Sequence, residues 1–184
     1  MPDPANDRPA VPLLRLRKGS EFRLSGPALI ELMQAVLARG QSFRFCARGW
    51  SMSPFVRDGD VITVAPAQTR VAGPDGRGCG VGHIVAFISP VSQRLVVHRI
   101  VGRQESRFLI QGDNMQTSGA DSVGRSDIIG RVVRIERGRR RVWLGLGPER
   151  FAIAILSRAG MLLPVLFRAR VLTRLLRKRH GVGN

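Results

Sequence analysis

Apolar positions follow a helical spacing near both ends of the chain and a strand spacing in between. Ser25 is a candidate N-cap and Pro27 suits a first helical turn. In PALIELMQAVLARG the residues Leu29, Leu32, Met33, Val36 and Leu37 share one face before Gly40, which predicts a single amphipathic helix. From Ser42 to Trp143 the period shortens. SFRFCARG, DVITVAP, HIVAFIS, LVVHRIVGR, RFLIQG and IIGRVVRIER read as six strands, separated by links rich in Gly, Pro, Asp and Ser. The longest link, Ala67 to Gly82, holds five glycines and a proline and predicts an exposed excursion. Beyond residue 148 the helical spacing returns. Val165, Ala169, Leu172, Leu175 and Leu176 cluster on one face, with Arg170, Arg174, Arg177 and Lys178 mostly opposite. The expected architecture is mainly β: a compact, mostly antiparallel domain with one N-terminal helix and a C-terminal amphipathic helical tail. The expected divisions are a loose leader over 1–24, a domain over 25–147 and a basic helical tail over 148–184.

Composition narrows the partners. An apolar share of 43% over 184 residues allows a real core and argues against disorder. The net charge of +17 invites nucleic acid or an anionic membrane. With 5% aromatics and no Tyr, stacking platforms for single strands are scarce. One helix followed by strands leaves no room for a helix-turn-helix, so nucleic acid is not expected as a partner. The basic stretch 165–179 is a candidate seat on an anionic membrane surface. A tail helix docked on its own domain or on a partner chain is the equal alternative.

The first residues lack the basic end and apolar core of a secretory signal. Nor does any run approach the ~20 apolar residues of a membrane span. The nearest, Phe151 to Phe167, is broken by Arg158, Gly160 and Pro164. The expected location is cytoplasmic, or peripheral on the inner membrane surface. Cys46 and Cys79 stand in unlike contexts without ligand spacing, so two free thiols and no metal site are expected. No cofactor is expected either. Among the 30 basic residues only Lys18 and Lys178 are lysines, so none lies between them.

Chemistry concentrates in Gly49-Trp50-Ser51-Met52-Ser53-Pro54, followed by Gly59-Asp60 at a strand entry. GWSMSPFVRDGDVITV resembles the nucleophile box of the signal-peptidase and repressor-autoprotease superfamily. GHIVAF, VVHRIV, QGDNMQTSGADS and IIGRVVRI follow in the order of that superfamily's remaining boxes, so the resemblance spans about residues 25 to 136. It implies a compact antiparallel β domain whose nucleophile box covers 49–60, and a serine endopeptidase that cleaves an extended peptide or precursor protein after small residues.

On this resemblance Ser51 is the nucleophile. An isolated serine hydroxyl is a poor nucleophile and needs a base within hydrogen-bond reach. The lysine that bacterial relatives use is missing between 18 and 178, and arginine stays protonated. The remaining bases are His83, His98 and His180. His98 stands where the bacterial lysine would fall, and where the endoplasmic-reticulum and archaeal branch carries histidine. His83 departs from the usual Asp of that box, and a structural or surface role is expected for it. The orienting carboxylate is Asp121, or alternatively Asp113. Ser118 matches a serine of the bacterial branch. Gly49, Trp50 and Met52 are candidates for the substrate cleft, with simple packing the alternative for Trp50 and Met52. Asp60 is expected to be structural. A different class also remains: a non-catalytic or self-cleaving regulator or adaptor of the same fold, binding nucleic acid or a membrane with its basic surface.

Overall fold

The structure, a computed structural model, describes residues 26–67, 78–115, 119–169 and 171. Helix α1 (Gly26–Ala38) is followed by strands β1 (Phe43–Cys46), β2 (Val61–Pro66), β3 (Ile84–Ile88), β4 (Leu95–Gln104) and β5 (Arg107–Gln111). Then come β6 (Asp121–Val123), β7 (Ile128–Arg137), β8 (Arg140–Val142) and helix α2 (Arg150–Arg158). A last helix, α3, covers Leu162–Ala169. All six expected strands form, and β6 and β8 are additional. The leader 1–24, most of the excursion 67–82, Ser118 and His180 lie outside the described residues, as does most of 165–179.

The strands build one sheet in the order β1-β2-β7-β3-β4-β5-β6, with β8 on β7. Every pairing is antiparallel, so the domain is mainly β, as its alternating and short apolar runs require. β3 explains how the core divides. Ile84 and Ala86 pack on one face with Met33, Leu37, Ile62, Val64 and Ile135. Val85 and Phe87 pack on the other with Ile100, Ile110, Val123 and Ile128. A strand covered on both faces must be apolar at successive positions, which is why HIVAFI carries no alternation. Each of the larger of these side chains, fully withdrawn from water, contributes about 1.5–3 kcal/mol.

α1 lies over the first of these layers through Met33 and Leu37, and Gly40 closes it with φ +75°. Leu32, expected on the same face, is exposed at its edge. A third small cluster joins Phe55 to Ile153 of α2 and Leu162 of α3.

Besides β6 and β8, each paired with one strand, β1 and part of β4 present open edges. β1 ends the sheet and pairs only with β2. β5 joins β4 only from Arg99 onward, so Leu95 to His98 pair with β3 on one side and, among the described residues, with no strand on the other.

Candidate active site

The turn that carries Ser51 is closed by its own backbone and by two aspartates. Ala47 N–H donates to Asp60 O at 2.7 Å, and Gly59 N–H returns a bond to Ala47 O at 2.9 Å. Gly49, at φ +95°, donates its N–H to Asp58 Oδ1 at 2.9 Å. Asp60 is buried. It accepts from Arg57 N–H at 2.8 Å and holds the Arg137 guanidinium at 2.9 and 2.7 Å. The expected structural role of Asp60 is thus what its contacts provide. Met52 fills the core against this turn. Ser51, half-buried at its head, leaves its own N–H without a hydrogen bond to the described residues.

His98 approaches from β4. Gly112, just past β5, brings the two residues together. A Cβ at that position would stand 2.7 Å from Ser51 O and 3.1 Å from His98 Nε2. Only glycine permits this close approach. The next residues secure it, since Asn114 N–H donates to Ser51 O at 2.7 Å and Asn114 Nδ2 to Trp50 O at 3.2 Å. The strand β5, its following turn and the Ser51 turn are therefore stitched into one unit.

Ser51 and His98 both border a groove of about 920 Å³. One wall is formed by the successive residues Phe45 to Gly49, the facing wall by Ser92 to His98, and the start of α1 closes a side. Successive residues of a strand can border one groove only along the strand's edge, because alternate side chains point to opposite faces. The groove thus runs between the open edges of β1 and β4. Gly49 and Met52 also border it, whereas Trp50 is 66% exposed and does not.

No hydrogen bond joins Ser51 Oγ to His98 in this structure, and His98 Nδ1 is buried without a partner. Burial lowers the His98 pKa below its ordinary 6.5, opposed by the negative charge of Asp121. The imidazole is consequently neutral near pH 7, the state a general base needs. Asp121 reaches it as a charge because β6 pairs Asp121 with Ile110. That places it on the sheet face shared by Ile110, Ile100 and His98.

The two candidate carboxylates have different surroundings. Asp113 is buried with both oxygens engaged by Arg99, at 2.8 Å from Nε and 2.7 Å from Nη2. Neither is directed at His98, whose neighbour Arg99 points to the opposite face of β4. Burial pushes the Asp113 carboxyl above its ordinary value, and the paired guanidinium opposes this. Arg99 itself is fully buried and also donates to Gly82 O at 2.8 Å and Gly145 O at 2.9 Å. The role of Arg99 was legible in principle: an arginine inside the apolar run LVVHRIV must find a carboxylate.

His83 lies apart, in a smaller polar pocket with Arg131 and Arg150. Its Nδ1 accepts from Gly80 N–H at 3.0 Å, and burial together with the two guanidiniums lowers its pKa to about 4. Both cysteines are free, Cys46 on the groove wall. Among the described residues no group of three or more His, Cys, Asp or Glu side chains could hold a metal ion. No protein-family model matches the chain, and no curated protein matches it significantly.

Proposed function

We propose that the chain is a serine endopeptidase in which Ser51 is the nucleophile and His98 the general base. The carrying observation is the convergence of Ser51 and His98 on Gly112, at the end of a groove bounded by two open strand edges. Unpaired backbone on both sides offers hydrogen bonds to an extended peptide laid between β1 and β4. Such a pose delivers a carbonyl to the groove's end, beside Ser51.

His98 takes the Ser51 hydroxyl proton as Oγ attacks this carbonyl. The uncommitted Ser51 N–H donates to the oxyanion that develops. His98 then hands the proton to the departing amine, and the peptide's N-terminal part remains as an ester on Ser51. Water, deprotonated by His98, hydrolyses the ester and restores the serine. Asp121 stabilises the imidazolium formed in each step. A preference for small residues before the cleaved bond rests on the superfamily resemblance alone.

A second function of a different class has its own support. The unformed Ser51–His98 bond and the unpartnered His98 Nδ1 suit a groove that binds an extended peptide without cutting it. Catalytic hydrogen bonds of an empty site are often long and close only around substrate, so the peptidase is preferred. Reaction with a fluorophosphonate serine probe, together with cleavage of an unbiased peptide library, separates the two. Ser51→Ala should abolish labelling, and Ser51→Ala and His98→Ala should each lower cleavage by about 10⁴-fold with the fold retained by circular dichroism. Labelling retained in Ser51→Ala, or full cleavage by His98→Ala, refutes the assignment. An unlabelled native protein that still binds peptides identifies the adaptor.

A further inference from the structure

Large apolar side chains left in water are unevenly distributed. Of the twelve among the described residues, eight fall between Trp143 and Val171. Trp143, Ile155 and Phe167 are 65%, 66% and 70% exposed. These helices are not short of a buried face. Ile153, Ala154 and Ser157 of α2 and Leu162 of α3 already pack inward, with Ile153 and Leu162 against Phe55. A surface helix anchored by one face normally turns polar residues outward, yet the outer sides of α2 and α3 carry Phe151, Ile155, Val165 and Phe167.

The charge within this stretch is mostly of one sign. Between Trp143 and Val171 the sequence has Arg150, Arg158, Arg168 and Arg170 against Glu149 alone. At its rim the Arg141 guanidinium lies 3.6 Å from the centre of the Trp143 ring, and that of Arg150 lies 4.6 Å from the centre of the Phe151 ring. Aromatic rings combined with cationic heads suit the headgroup layer of a bilayer. α2 and α3 meet at a bend of 120°, and neither is long and apolar enough to cross a membrane. By length and composition the bent pair together could span, but its one buried face and arginine-bearing sequence suit the plane of the lipid surface better.

We propose that the outer faces of α2 and α3, with the Trp143–Leu144 turn, seat the protein on the surface of an anionic lipid bilayer. The charge complementarity selects net-anionic headgroups over zwitterionic ones, and the apolar side chains enter the acyl boundary beneath them. Because Phe55 belongs to the turn that begins at Ser51, the seat holds that turn close to the lipid. The inference stands on this surface alone and is tested without any cleavage assay.

The experiment uses the full chain carrying Trp50→Phe, so that Trp143 is the only fluorophore of its kind. It is titrated with vesicles of phosphatidylglycerol and phosphatidylcholine, and with phosphatidylcholine alone. A blue shift of Trp143 emission with the anionic vesicles, and its quenching by lipids brominated in the acyl chain, are expected. Affinity should fall by about tenfold or more in high salt. The double variant Ile155→Ser, Phe167→Ser, checked for unchanged circular dichroism, should lose a similar factor. Absence of binding to anionic vesicles overturns the proposal. So does equal binding by the double variant, which would show that charge alone acts. A self-association that the double variant abolishes, without vesicle binding, would assign the surface to a second copy of the chain instead.

Discussion

Asp121 and Asp113 lie eight positions apart and stand in different surroundings. The charge of Asp121 raises the His98 pKa against the effect of burial. Removing it lets burial act unopposed, so Asp121→Asn should lower that pKa further. Since the imidazole works as a base only when unprotonated, the acid limb of kcat/KM should move to lower pH while the plateau drops. A pH–rate profile checks this, and an acid limb that stays in place excludes Asp121 as the partner of His98. The sequence resemblance favoured Asp121 but could not separate the two carboxylates. What distinguishes them is the alternation of β4, which sends His98 to one face and Arg99, with Asp113 in tow, to the other.

At the scale of elements, most strands were legible because their apolar runs are long enough to fill two core layers. β6 and β8 were not. Each has three residues, Asp121-Ser122-Val123 and Arg140-Arg141-Val142, and only the register of a longer neighbour makes strands of them. Arg139 holds φ +67° in the hairpin turn before β8, so no Asn-Gly signature announced it. The turn after β5 was equally hidden. Its asparagine bonds Ser51 and Trp50 across a long sequence separation, which no local pattern encodes. Gly112 gives the sharpest test of that junction. In Gly112→Ala the new methyl collides with Ser51 O and crowds His98 Nε2. A displacement of this order should lower kcat/KM by about 10²-fold. Steady-state kinetics measure the loss, and an unimpaired variant would detach β5 from the site.

Across the whole molecule Arg99 is the tie. Its guanidinium joins β4 to the turn after β5, to Gly82 before β3 and to Gly145 before α2. Asp113→Asn would leave this buried cation without its counter-charge, and the fold should lose about 3–5 kcal/mol. Urea denaturation reads that loss, and a variant as stable as the parent would show the pair to be dispensable. The contrast with Asp121→Asn, expected to change rate and pH profile with little change in stability, separates structural from chemical carboxylates.

On the proposed peptidase reading, the open edges of β1 and β4 also bear on which proteins the site would act upon. A folded precursor has already spent its backbone donors and acceptors on its own secondary structure, and has none to lend to a foreign strand. Selection then operates on order before it operates on side chains. A matching segment inside a stable helix is invisible to the groove, whereas a poorer match in a fraying terminus is presented continuously. The free energy of local opening in the substrate thus becomes a factor in the observed specificity constant.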